Sequence, residues 1–216
     1  MRVLMIAPPG AGKGTQGTVI ATHFGIPRIA TGDMLREHVG NQTDLGRAVK
    51  PYLDRGELVP DAIVLDLVRQ ALVAAKAAGG GYVLDGIPRN LDQARALHRA
   101  AVELDMTPNV ALHLEAPDDE LVHRLVDRAA LEGRSDDTEP VIRRRLRLYH
   151  EVTQPIVDWY AQRGILVSVD AARPVDQVGR EVLTALVATR PLVDHVPEAV
   201  RSPVDLTGLG RAFGEQ

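Results

Sequence analysis

The sequence has 216 residues, 45% hydrophobic and 25% charged, with 25 Lys plus Arg against 29 Asp plus Glu and a formal net charge of -4. A mildly acidic chain of this length reads as one domain with an appendage, and it argues against a coat for nucleic acid, whose footprint is broadly basic. The lack of cysteine and an aromatic content of 3% exclude disulfides, thiol nucleophiles, thiolate-bound zinc and most base-stacking platforms. No apolar run reaches the ~18 residues of a membrane span and no signal-peptide pattern opens the chain, so a cytoplasmic protein with no membrane partner is expected.

In chain order, the apolar run from Arg2 to Ile6 predicts a strand. Pro8, Pro9, Gly10, Gly12 and Gly14 interrupt it, and a helix is expected from about Lys13 to Phe24. Between Asp61 and Ala78 the residues Val64, Leu67, Val68, Ala71, Leu72 and Ala75 repeat on one helical face. Further short strands are expected at Tyr82–Leu84, Val110–Leu114 and Ile165–Val169, each bounded by turn residues. A long helix from Pro140 to Gln162 starts with proline in its first turn and should bend near Pro155. From Arg190 to Gln216 six Pro and Gly residues break any period, and that stretch reads as a loosely ordered or draped tail.

Strands alternating with helices imply an α/β fold with a parallel sheet and right-handed crossovers. Such sheets bind ligands at the carboxyl ends of their strands, which directs attention to the loops after Ile6, Leu84 and Leu114.

The segment Ala7-Pro8-Pro9-Gly10-Ala11-Gly12-Lys13-Gly14-Thr15 lies between a strand and a helix, the setting a phosphate-binding loop requires. Its glycines allow a concave backbone whose N–H groups face an anion, while the helix N-terminus and Lys13 add positive charge. A tight turn carrying a surface lysine is the bland alternative. Two positions depart from the general motif: Ala7 stands where Gly is usual, and Gly14 where Ser or Thr follows the lysine.

Four blocks carry a more specific resemblance. Pro-Gly-Ala-Gly-Lys-Gly-Thr-Gln at 9–16, Ala-Thr-Gly-Asp-Met-Leu-Arg at 30–36, Asp-Gly-Ile-Pro-Arg at 85–89, and Gly133-Arg134-Ser135-Asp136-Asp137 ahead of Ile142-Arg143-Arg144-Arg145-Leu146 occur in order across about 1–189. Together they resemble the adenylate kinase family of nucleoside monophosphate kinases. The resemblance implies a three-layer fold of the P-loop nucleoside triphosphate hydrolase type over 1–190, with a central parallel sheet. It also implies a small monophosphate-binding insert at about 30–59, a short lid at about 129–137, and a tail at 191–216 with no counterpart. The brief loop between Arg128 and Arg134, together with the missing cysteines, resembles the short-lid type without zinc.

By resemblance, Gly10, Ala11, Gly12, Lys13, Gly14 and Thr15 hold the donor phosphates of ATP. Arg124, Arg128 and Arg173 serve the rest of that nucleotide, with Arg124 against the adenine. The AMP site takes Thr31, Arg36, Glu57, Leu58, Val59, Gly86, Arg89, Gln93, Arg134 and Arg145. Lys13, Arg89, Arg128, Arg134 and Arg145 form the catalytic set. Asp85 holds Mg²⁺ through water with Asp33 in support, and the partners are ATP, AMP and ADP, with a monomer implied. Arginine suits this work because its planar fork binds phosphate bidentately and keeps its charge.

Other residues read more plainly. Arg143, Arg144 and Arg147 form a solvated helix face; Tyr52, Tyr149, Trp159 and Tyr160 pack; the seven histidines show no ligand spacing. Gly32, Gly56 and Gly133 are candidate hinges, Asp136 and Asp137 are hinge or cap residues, and Pro51 should kink or stiffen the insert. Thr31 and Gln93 match the adenylate choice, whereas Asn90-Leu91-Asp92 looks somewhat like the UMP/CMP kinases, so a pyrimidine acceptor is the runner-up. A nucleotide-binding member without turnover is the third reading, motivated by Ala7, Ala30, Ile87 and the tail. Sugar and shikimate kinases share only the first loop.

Overall fold

The computed structural model describes residues 1–132 and 138–189, without the side chains of residues 128 and 130–132. Its centre is a five-stranded, all-parallel sheet in the order β2-β3-β1-β4-β5, formed by β1 (Arg2–Ile6), β2 (Arg28–Ala30), β3 (Tyr82–Asp85), β4 (Val110–Glu115) and β5 (Leu166–Asp170). The strands are nearly continuous apolar runs because helices cover both faces. One core layer gathers Leu4, Ile6, Leu84 and Ala111 with the helices on one side. The opposite layer gathers Val3, Met5, Val83, Leu112 and Leu114. Alternate residues of β1 thus face opposite layers, as a pleated strand dictates.

The helices are α1 (Lys13–Phe24), α2 (Thr31–Gly40), α3 (Asp44–Asp54), α4 (Asp61–Ala77), α5 (Leu91–Glu103), α6 (Asp118–Glu132), α7 (Glu139–Leu148), α8 (Pro155–Ala161) and α9 (Val175–Ala188). In α4 the expected stripe is realised, with Val64, Leu67, Val68, Leu72 and Ala75 buried. The helix expected over 140–162 is interrupted: α7 passes into a π-helical turn at Tyr149–Thr153 before Pro155 begins α8. Proline has no N–H to donate and its ring crowds the preceding turn, so a widened turn resolves the conflict. Pro51 is accommodated inside α3, which starts at a Thr43 cap whose side chain accepts from the Gly46 N–H at 3.0 Å.

Strand β2 is the strand that the sequence reading omitted. It has three residues, Arg28–Ala30, too few to show an alternating pattern. It pairs with β3 from Arg28↔Val83 to Ala30↔Asp85, and from this register the Arg28 side chain reaches Asp85 at the carboxyl end of β3.

Candidate active site

The loop after β1 is built around two left-handed glycines, Gly10 at φ 86° and Gly12 at φ 84°. A Cβ on Gly10 would lie 2.9 Å from the Leu121 carbonyl oxygen and 3.0 Å from Leu125 Cγ, so the loop packs directly on α6. Ala7 is not among the residues with positive φ and is buried in the core with Ala11. The departure at Ala7 therefore carries no backbone strain. Lys13 Nζ donates to the carbonyl oxygens of Ala7 at 2.6 Å and Pro8 at 3.1 Å. This folds the ammonium over the mouth of the loop, where phosphate oxygens can replace the carbonyls. Gly14 is half-buried behind it, and Thr15 is exposed on the first turn of α1.

Opposite the loop, Arg89 and Arg145 line the same cleft as Lys13, together with Gly56, Leu58, Gly86 and Tyr149. Arg89 Nε donates to the Gly86 carbonyl oxygen at 2.7 Å. The residue keeps an exposed surface, yet the crowding of its guanidinium by the surrounding loop, then the like charges of Arg145 and Arg36, lower its pKa against the pull of Asp85. Cations brought together against their own repulsion make a site whose natural occupant is a polyanion.

Arg89 is held from two directions. Its backbone N–H donates to Gln93 Oε1 at 2.7 Å, and its carbonyl oxygen accepts from Thr153 Oγ1 at 2.8 Å. Gln93 is buried, and its Nε2 donates to Asp61 Oδ1 at 2.7 Å. One N–H and one oxygen lone pair of the Gln93 amide remain for another partner. Asn90 caps α5 by accepting from the Gln93 N–H at 2.7 Å, so the segment that looked pyrimidine-like acts here as a helix start.

Thr31 is buried, and its hydroxyl donates to the Asp85 carbonyl oxygen at 3.3 Å. The adjacent Gly86 has φ 96°, and a Cβ there would approach Thr31 Oγ1 to 2.3 Å. Gly86→Ala is therefore expected to destabilise the protein by about 2 kcal/mol or more. Urea denaturation checks this, and an unchanged midpoint would contradict the packing described. Ile87, where the family has an aromatic residue, is completely buried in the core.

The end of the insert meets α7. A Cβ on Gly56 would lie 2.9 Å from Val141 Cγ1 and 3.3 Å from Arg145 Cγ. Glu57 pairs with Arg55 at 2.8 Å and with Arg144 at 2.9 Å; the hydrogen bond from Arg55, and further the charge of Arg144, lower its pKa. Arg144, read from sequence as a solvated residue, thus ties α7 to the insert. Leu58 faces the cleft, whereas the side chain of Val59 belongs to the core.

Tyr149 is packed as expected, but it also forms part of the cleft wall. Its hydroxyl lies 2.8 Å from His113 Nε2, and His113 Nδ1 lies 3.0 Å from Glu115 Oε1. Burial lowers the His113 pKa against the opposing pull of Glu115. A neutral ring that donates to Glu115 and accepts from Tyr149 fits this arrangement.

Beyond the phosphate loop, Arg124 donates to the carbonyl oxygens of Ala171 at 2.8 Å and Ala172 at 3.2 Å. Arg173 pairs with Asp170 at 3.3 Å and Glu181 at 2.5 Å. Both arginines gather at the loop after β5, and neither is among the described residues that line the cleft of Lys13, Arg89 and Arg145. Arg134, Gly133, Asp136 and Asp137, the side chain of Arg128, and the tail at 191–216 lie outside the described residues.

Asp85 ends β3 and is 8% exposed. Arg28 Nη2 donates to Asp85 Oδ2 at 2.9 Å, while Arg28 Nη1 reaches Asp33 Oδ2 at 3.0 Å. Asp33 Oδ1 accepts from Arg36 at 2.5 Å. Burial pushes the Asp33 carboxyl upward, but the hydrogen bond and charge of Arg36, followed by those of Arg28, hold it below its usual value. Arg28 was not singled out by the sequence reading. A lone arginine after Pro27 carries no signal until the β2–β3 register places it.

A five-stranded parallel sheet with a glycine-rich, cation-lined loop at its carboxyl edge defines a nucleotide-binding α/β protein of the P-loop type. The family model described as "Adenylate kinase" matches residues 5–165, and the chain belongs to the adenylate kinase family. It is similar to the adenylate kinase of Thermobifida fusca, 44% identical over 186 residues that cover 86% of this chain and 98% of that one. It is also 44% identical to the Thermus thermophilus adenylate kinase over 184 residues (85% and 96%). The Leptospira biflexa adenylate kinase is 43% identical over 185 residues (86% and 99%).

Proposed function

We propose that this enzyme transfers the terminal phosphoryl group of ATP to AMP, giving two ADP, and runs the reaction in both directions. The observation that carries this reading is the convergence of Lys13, Arg89 and Arg145 on one cleft at the carboxyl ends of β1 and β3. The attacking atom is an AMP phosphate oxygen that is already anionic, so the reaction needs no strong general base. It needs two polyanions held in line with their repulsion neutralised and water kept out. In this reading Lys13 and the loop amides of Gly10, Gly12 and Gly14 hold the donor phosphates. Arg36 and Arg89 grip the acceptor phosphate, while Arg145, with Arg128 and Arg134, covers the transferring group. Arg124 and Arg173 serve the donor base and ribose end.

Magnesium fits the donor set. Asp85 offers a nearly buried, hard carboxylate close to the phosphate loop, and Asp33 a second one joined to it through Arg28. Mg²⁺ needs only one or two carboxylates besides substrate phosphates and water. Asp85 would hold it through water, with Asp33 supporting that shell. When bound, the ion supplies charge neutralisation along the triphosphate.

For the acceptor base, the remaining N–H and lone pair of Gln93 suit the adenine edge, and Thr31 shapes the floor beside Gly86. In this reading the segments 30–59 and 129–137 close over the nucleotides. Among the described residues no helix is long and apolar enough to cross a membrane; a cytoplasmic monomer acting on free nucleotides is the setting proposed.

A coupled assay with Mg-ATP and AMP, dAMP, CMP or UMP tests this. AMP is expected to turn over at least ~100-fold faster than CMP or UMP, because a pyrimidine leaves buried polar groups unmatched. Faster turnover of a pyrimidine would overturn the adenine assignment. ATP binding without turnover of any acceptor would overturn the kinase reading.

A further inference from the structure

Arg28 is placed with unusual care for a residue outside the nucleotide cleft. Its side chain runs over two glycines of α1: a Cβ on Gly17 would lie 3.0 Å from Arg28 Nε and 3.2 Å from its Cδ, and a Cβ on Gly14 would lie 3.5 Å from Nη2. The Nε–H is buried with no hydrogen-bond partner. Both terminal nitrogens are nonetheless committed, one to Asp85 and one to Asp33. The cradle thus gives up one hydrogen bond while delivering a single positive charge between two carboxylates.

We infer that Arg28 is a resident counter-cation, a positioning residue that holds Asp85 and Asp33 in the nucleotide-free protein and keeps a divalent cation from settling there until it arrives on a nucleotide. This rests on the reading that Asp85 anchors the metal. Two carboxylates that share Arg28, with Arg36 also on Asp33, present a divalent cation with charge already compensated, so a bare ion gains little by displacing the guanidinium. An ion carried by a triphosphate brings its own negative charge. It needs from Asp85 only the oxygen that Arg28 does not hold. Through Asp33, the same guanidinium is joined to Arg36, so the carboxylate at the metal side and the arginine at the acceptor side share one ion-pair chain.

The test is a Mn²⁺ titration of nucleotide-free protein followed by electron paramagnetic resonance. Wild type is expected to leave Mn²⁺ as the hydrated ion through the millimolar range. Arg28→Gln and Arg28→Met, the latter keeping the packed stem, should each bind Mn²⁺ at least about fivefold more tightly, and adding Asp85→Asn should remove that binding. Arg28→Lys, which restores one positive charge, should return towards wild type. Equal Mn²⁺ affinity in wild type and the neutral variants would overturn the inference. So would tight binding by wild type that Asp85→Asn abolishes, an outcome readable even if a neutral variant fails to fold. A merely structural ion pair would shift thermal stability and leave Mn²⁺ affinity unmoved. Turnover in Mg²⁺ against EDTA reports separately on whether the metal takes part at all, so failure of the inference and failure of the underlying reading are distinct results.

Discussion

Arg89→Ala is expected to lower kcat by about 10³-fold or more, close to 4 kcal/mol of transition-state stabilisation, with little change in folding. The direction follows from its position. The guanidinium lines the cleft with Lys13 and Arg145, and among the described residues its hydrogen bond goes to the Gly86 carbonyl. Its backbone is held independently by Gln93 and Thr153, so truncating the side chain leaves the surrounding loop anchored. Relief of crowding with Arg145 and Arg36 offsets part of the lost contact. Arg89→Lys keeps the charge but not the planar fork, and should recover only part of the rate. Steady-state kinetics beside a thermal melt decide the matter. Turnover near wild type would remove Arg89 from the catalytic set.

Lys13→Met carries the second large effect. Nζ bonds the Ala7 and Pro8 carbonyl oxygens and so also closes the phosphate loop on itself. Its loss should reduce kcat by about 10³-fold and weaken binding of ATP. Melting should shift by no more than a few degrees, about 1 kcal/mol, since Gly10 and Gly12 set the loop shape and pack it on α6. Nucleotide titration and initial rates check both parts. A variant that binds ATP normally and turns over normally would mean that the ammonium does not reach the phosphates.

The sheet and the phosphate loop were readable because their signals are local. Apolar runs bounded by Gly and Pro mark β1, β3, β4 and β5, and the glycine pattern marks the loop. Strand β2 was not, since three residues carry no periodicity. The long helix at 140–162 was right in extent and in its irregularity near Pro155. The form of that irregularity, a π turn, depends on tertiary demands: Tyr149 reaches His113 and Thr153 reaches the Arg89 carbonyl. Ala7 looked like a defect because a motif records residue types, whereas the backbone angle decides whether a Cβ is tolerated. Arg144 and Arg28 were missed for one reason. Each acquires its meaning from a partner far away in the chain, Glu57 in one case and Asp85 in the other.

Gln93 shows the reverse situation. Sequence resemblance assigned it to the base of the acceptor, and the structure adds that it also anchors Arg89 and Asp61. In the proposed reading, a residue that contacts the acceptor base and also holds the backbone of Arg89 would report correct base binding to the reacting centre. That gives a physical reason why base identity should affect turnover and not only affinity.

The most direct test of the account begins with ADP as the only nucleotide. Incubated with the protein and Mg²⁺ and followed by ³¹P NMR, ADP should convert to equal amounts of ATP and AMP, with no inorganic phosphate released. Unchanged ADP, or AMP accompanied by free phosphate, would contradict it.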